Sequence, residues 1–171
     1  MRPSFDEIFL DLAVSLARRS TCRRLQVGCV ITSVDHRQVF AVGYNGNATG
    51  EANDCDRHGE EAVGNCGCIH SEANAAVNCV APRRERKFVY CTHLPCVACT
   101  KLLINLGGVQ LVVFKDWYRK TDSLDLLGRN GIQTLHMQKT DRDQLEENLR
   151  VTQERCTELL EEARRLRGDG A

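Results

Sequence analysis

Apolar positions recur along the chain with two different periods, and the changes between them mark out its elements. In residues 5–20, FDEIFLDLAVSLARRS, the residues Phe5, Ile8, Phe9, Leu12 and Leu16 fall at helical spacing. VGCVIT (27–32) and QVFAVGYN (38–45) are apolar, β-branched runs around the polar VDHRQ, which predicts a hairpin. Residues 47–64 are polar and glycine-bearing with no period, and predict a loop. The alanine-rich HSEANAAVNCV (70–80) predicts a helix, and KFVYCT (87–92) a strand. Pro95 is read as opening a second helix, CVACTKLLINLG, with proline in its first turn and Gly107-Gly108 at its end. VQLVVF (109–114) then predicts a strand, SLDLLGRNG (123–131) a short helix and IQTLHM (132–137) a last strand.

This order points to an α/β fold, a three-layer α-β-α sandwich with a mixed five-stranded sheet. Strands alternating with helices from Cys66 onward imply parallel crossovers there. The tail is different. Leu145, Leu149, Thr152, Cys156, Leu159, Ala163 and Leu166 recur by steps of four and three amid charge, the seam of an amphipathic helix. Such a helix either packs on its own domain or pairs subunits, and Thr152, Cys156 and Ala163 make the seam weak for an isolated coiled coil. The expected division is a domain in residues 1–140 and a helical extension in 141–167.

Composition narrows the setting. The chain of 171 residues carries 23 Lys+Arg and 23 Asp+Glu, so it lacks the basic surplus usual in a protein that lives on a polyanion. The first residues, MRPSFDEIFLDL, carry acidic side chains where a signal peptide needs an apolar run, and no stretch approaches the roughly 18 apolar residues of a membrane span. A soluble, cytoplasmic protein is expected. Ten cysteines without an export signal then favour metal binding or catalysis over disulfides. Cys29, Cys79 and Cys91 lie in apolar runs and read as core.

Two motifs stand where predicted helices begin: His70-Ser71-Glu72, and Pro95-Cys96-Val97-Ala98-Cys99. H-x-E with P-C-x-x-C is the pattern of zinc deaminases, in which one histidine and two cysteines hold the metal and the glutamate stays off it. Cysteines three apart on a first helical turn converge on one point, and a helix N-terminus favours their thiolate forms. His70 supplies a third ligand beside Cys96 and Cys99, leaving the fourth tetrahedral position for water. Glu72 can then take the water's proton, pass it to a substrate ring nitrogen and later to departing ammonia. A C-x-x-C pair with histidine also occurs in closed structural zinc sites; Glu72, Pro95 and the intervening strand favour the catalytic kind.

With these motifs in place, the chain resembles the deoxycytidylate (dCMP) deaminases of the cytidine-deaminase-like superfamily over about residues 5–137. The likeness extends to STCRRLQVGCVI (20–31), GYNG (43–46), IHSEANA, THLPCVACTKLL and KDWYRKTDSLDLL, with Ser71 where alanine is usual. The resemblance implies a free nucleotide substrate, Asn45 on the sugar hydroxyl, Tyr118 lining the nucleotide pocket and Arg119 as a candidate for the phosphate. On the residues alone, Asn45 reads as a turn residue, Tyr118 equally as a core aromatic and Arg119 as a solvated charge. Some microbial and phage members carry a second, structural zinc on the loop before the H-x-E helix. By that resemblance Cys22, Cys55, Cys66 and Cys68 would hold it, with His58 as the substitute for a cysteine; free loop thiols are the alternative. Relatives often form hexamers, and nucleoside triphosphates regulate many of them, so a homo-oligomer with such an effector is implied.

Two rivals remain at this stage. A deaminase acting on cytosine or adenine in RNA or single-stranded DNA shares both motifs, and Arg18, Arg19, Arg23, Arg24 or Arg83, Arg84, Arg86, Lys87 would have to track its phosphates. A non-enzymatic zinc module using the helical tail would have no need of Glu72. Neither plain nor 5-substituted cytosine, nor mono- or triphosphate, is singled out by the residues.

Overall fold

The computed structural model describes residues 2–53, Cys55, 66–137, Gln153 and Thr157. Its elements follow the order α1 (Phe5–Ala17), β1 (Gly28–Ser33), β2 (Val39–Tyr44), α2 (Ser71–Val77), β3 (Lys87–His93), α3 (Val97–Leu106), β4 (Val109–Asp116), α4 (Asp122–Arg129) and β5 (Gln133–His136). The sheet order is β2-β1-β3-β4-β5. β1 is antiparallel to both β2 and β3, whereas β3, β4 and β5 run parallel, so the sheet is mixed as expected. Contacts divide the chain into Met1–Met137 and Gln138–Ala171. The repeat from Leu145 to Leu166, its two described positions aside, and His58 lie outside the described residues. Among the described residues no helix is long and apolar enough to cross a membrane.

Alternation along the central strands sorts the core into two layers. Val30, Tyr90 and Val113 face α1, packing with Phe9, Leu10 and Ala13. Cys29, Ile31, Val89, Cys91 and Val112 face the other way, toward Ala75 of α2, Leu103 of α3 and Leu127 of α4. Cys29 and Cys91 are core as expected: fully buried and paired across β1 and β3, with Sγ atoms 3.6 Å apart. Cys79 is partly buried against the same layer.

Helix α1 turns a different face inward from the one its bulky residues mark. Phe5, Ile8 and Leu12 are 49%, 45% and 37% exposed, while Ala13 and Ala17 meet the sheet. The reason is a close approach: a Cβ on Gly28 would lie 1.9 Å from the Ala13 carbonyl oxygen. Small residues on both sides let the helix backbone lie against β1, so that Phe9 and Leu10 turn inward beside them while Phe5, Ile8 and Leu12 turn outward. The helix starts at a capping box, with Ser4 and Glu7 each accepting from the other's backbone N–H.

Lys87 corrects a second expectation. It is not part of a basic surface track but is fully buried, its Nζ donating to the carbonyls of Pro82 (2.8 Å), Glu85 (2.7 Å) and Gly107 (3.2 Å). The ammonium ties the turn before β3 to the end of α3, and burial pulls its pKa down. Lys87→Met removes all three charge-assisted bonds and is expected to cost roughly 2–3 kcal/mol, lowering Tm by about 5–10 °C in thermal unfolding.

Candidate active site and thiol cluster

Two helix N-termini meet beyond the C-terminal end of β3, and each is capped by a residue of the sequence motifs. His70 is the N-cap of α2. Cys96 is the N-cap of α3 and its Sγ accepts from the Cys99 N–H, which places Cys99 at the third helical position. Pro95 therefore precedes the cap rather than opening the first turn. Sulfur takes the place of the usual capping oxygen there, and both thiols sit where the helix dipole favours negative charge.

The three predicted ligands converge. His70 Nδ1 lies 3.6 Å from Cys96 Sγ and 3.4 Å from Cys99 Sγ. Tetrahedral zinc with Zn–N near 2.05 Å and Zn–S near 2.3 Å sets such atoms about 3.6 Å apart, so the donor set fits that ion. Cys96 is the acidic thiol: hydrogen bonds from Cys99 and His70 hold its pKa down to about 3. The bond to Cys96 and burial push Cys99 the other way.

Glu72, two residues on, is 4% exposed and off the ligand set. Burial raises its proton affinity, while His70 and the Ser71 hydroxyl counteract; that hydroxyl donates to Oε2 at 2.9 Å. Ser71, which stands where alanine is usual, thus bonds the carboxylate directly. The GYNG segment seats this helix. A Cβ on Gly43 would lie 2.2 Å from the Ser71 carbonyl oxygen, so glycine there lets α2 rest on β2. The Tyr44 carbonyl accepts from Asn74 of α2, and Gly46 pairs with Ile69 through both backbone bonds.

Cys22, Cys55, Cys66 and Cys68 form a second group whose sulfurs all lie within 4.8 Å of one another. The Cys22–Cys66 and Cys55–Cys68 Sγ pairs are 3.6 and 3.9 Å apart. A tetrahedral zinc–thiolate centre sets its sulfurs about 3.8 Å apart, so this donor set fits as well. A cavity of about 480 Å³, within the range of small-molecule sites, opens between the two groups. Cys22, Cys66, Cys68, His70, Glu72 and Cys96 all line it, as do Asn45, Tyr118 and Arg119.

The profile described as the cytidine and deoxycytidylate deaminase zinc-binding region matches residues 3–115. The chain belongs to this deaminase family. A deoxycytidylate deaminase of Mycobacterium phage D29 is 37% identical over 125 residues, covering 66% of this chain and 95% of that protein. The deoxycytidylate deaminase of Schizosaccharomyces pombe is 31% identical over 143 residues, covering 77% of this chain and 44% of that one. The chain thus spans less than half the length of the two yeast relatives that it matches. A crystal structure of dCMP deaminase from the cyanophage S-TIM5, in complex with dCMP and dUMP, is 29% identical at a TM-score of 0.70, covering 80% of this chain and 99% of that one.

Within the deaminase family's frame, Asn45 has a more specific place than a turn. Its Oδ1 accepts from the Val27 N–H and its Nδ2 donates to the Leu25 carbonyl, both at 2.8 Å, while the residue still lines the cavity. Tyr118 is half-buried and Arg119 exposed at the same wall. Five lining residues escape the sequence reasoning as site candidates: the apolar Leu25 and Val27, and Arg24, His93 and Trp117. Arg24 was weighed only as part of a basic cluster, although it follows Cys22 by two positions. His93, whose pKa burial lowers, ends β3 just before Pro95 and Cys96. Trp117, the chain's sole tryptophan, is 52% exposed and packs edge-on to Phe114.

Proposed function

We propose that this chain deaminates dCMP to dUMP by zinc-dependent hydrolysis, consuming water and releasing ammonia. The observation that carries the reading is the buried Glu72 beside the convergent His70, Cys96 and Cys99, with Glu72, His70 and Cys96 lining one ligand-sized cavity. His70, Cys96 and Cys99 would hold the catalytic zinc. Bound there, zinc supplies Lewis acidity that makes water acidic enough to attack near neutral pH. Glu72 takes the proton of the attacking water, delivers it to ring nitrogen N3, and gives a proton to the amine as the C4–N bond breaks. Its burial excludes competing solvent, and the Ser71 hydroxyl fixes one carboxylate oxygen so that the other serves the substrate. Asn45 would bind the sugar hydroxyl through its second amide hydrogen, with Tyr118 along the nucleotide.

Among the described residues Arg24 and Arg119 are the two full cations on the cavity wall, and they would meet the 5′-phosphate. Arg83, Arg84 and Arg86 precede Lys87 at the opposite end of β3. Six residues of strand, about 20 Å, separate Lys87 from His93, so they do not extend this wall into a nucleic-acid track. The test compares purified protein on dCMP, deoxycytidine, dCTP and a cytosine-bearing oligonucleotide. Turnover concentrated on dCMP is expected. Arg24→Ala is expected to lower kcat/KM for dCMP by about 10–100-fold, roughly 1.4–2.8 kcal/mol, while leaving deoxycytidine nearly unchanged. Equal losses on both substrates would remove Arg24 from the phosphate, and activity on the oligonucleotide alone would overturn the reading.

A second zinc held by Cys22, Cys55, Cys66 and Cys68 belongs to the same proposal, supported by the sulfur spacing. So do a deaminase domain in residues 1–140 with a helical extension in 141–167, a cytoplasmic setting that keeps the thiols reduced, and a homo-oligomer, a hexamer by resemblance. Exposed Phe5, Ile8 and Leu12 on α1 leave apolar surface for subunit pairing. A nucleoside triphosphate effector rests on the family resemblance alone.

A further inference from the structure

We propose that the thiol cluster is a wall of the nucleotide site, and that metal held by it sets affinity for the nucleotide rather than merely stapling a loop. The inference rests on the deaminase function proposed above. Three of the four thiols, those of Cys22, Cys66 and Cys68, line the cavity that also contains His70 and Glu72. Two covalent arms lead from them into the site.

The first arm runs from Cys22 along residues 23–27. Cys22 stands two residues before Arg24 and five before Val27; its sulfur lies 3.6 Å from that of Cys66, and its backbone N–H donates to the Ser20 hydroxyl at 3.1 Å. Asn45 grips the same stretch from the other side, at the Leu25 carbonyl and the Val27 N–H. Arg24, Leu25 and Val27 are then presented to the cavity. No helix or strand includes residues 18–27, so side-chain bonds such as those of Asn45, together with the cluster itself, help to set where they sit. Metal binding at Cys22 therefore orders a wall that the nucleotide would otherwise have to order itself, and a preordered wall binds more tightly.

The second arm is Cys68-Ile69-His70, in which one residue separates the two donor groups. Ile69 is pinned to Gly46 by N–H···O bonds of 3.1 and 2.8 Å, and the His70 carbonyl accepts from the Asn74 N–H of α2 at 3.0 Å. This arm holds His70 in place when the cluster loosens. Glu72, Cys96 and Cys99 are held by α2 and α3, outside the cluster. Loss of the cluster's metal consequently weakens binding far more than it slows the chemical step.

Trp117 lines the cavity and is the sole tryptophan, so its fluorescence reports the dissociation constant for dUMP directly. Cys55→Ser changes the one thiol of the cluster that does not line the cavity, and is expected to lose one of two zinc equivalents, to raise the Kd for dUMP by about tenfold or more, and to leave kcat within a few-fold. Loss of zinc with an unchanged Kd would overturn the proposal, as would a wild-type chain that carries a single zinc. Should Cys55→Ser fail to fold, the wild-type protein answers by reciprocity. Saturating dUMP is expected to protect both zinc equivalents from a competing chelator, and protection of only one would overturn the proposal. A wild-type chain that binds neither dCMP nor dUMP would overturn the deaminase function itself, a different result from either.

Discussion

Replacing Glu72 with alanine is expected to cut kcat for dCMP deamination by about 10³–10⁴-fold while zinc content stays at the wild-type level. The size follows from where the side chain sits. Glu72 is almost fully buried, its proton affinity is raised by that burial, and it borders the cavity beside the proposed zinc ligands. Among the described residues Glu72 is the only carboxylate that lines this cavity, so no other described carboxylate stands ready to carry a proton from water to a substrate ring nitrogen in its place. The alanine variant leaves the helix intact and frees a buried carboxylate from a site that desolvates it, so thermal stability should hold. Metal analysis beside the kinetic assay separates loss of the proton carrier from loss of the ion. Wild-type turnover in the variant would sink the mechanism.

Cys99→Ser is expected to abolish measurable turnover by another route, through loss of about one zinc equivalent per chain. A serine hydroxyl ionises far less readily than a thiol and binds zinc poorly, and the other two donors cannot hold the ion alone. The loss should also lower Tm, because the ion would tie Cys96 and Cys99 at the start of α3 to His70 at the start of α2. Cys79→Ser is the matched control. Cys79 lies outside both donor groups, so the variant should keep its zinc and its activity. Full activity in a Cys99→Ser protein that has lost zinc would move the chemistry elsewhere.

The sequence exposes those parts of the molecule whose causes are local. Period and punctuation set out nine elements, because a β-branched run or a glycine after a helix acts within a few residues. The H-x-E and P-C-x-x-C spacings give the donor group because each sits on one helix start. What stayed hidden depends on contacts between distant segments. The inward face of α1 is decided by Gly28 on another element, not by the size of Phe5, Ile8 and Leu12. Lys87 reads as a surface cation until three carbonyls from two turns close around it. Arg24, His93 and Trp117 belong to three separate segments, and only the folded sheet brings them to one cavity. Family resemblance supplied the four-cysteine grouping, which spacings of 33, 11 and 2 positions would not have suggested on their own.

The one-residue separation of Cys68 from His70 leaves no slack in chain length between the two donor groups. A single added residue there would turn Ile69 off Gly46, to which its backbone bonds at 3.1 and 2.8 Å, and pull one donor out of each group. A deletion would do the same from the other side. For a protein engineer the stretch 68–70 is a place to exchange side chains and never to change their number.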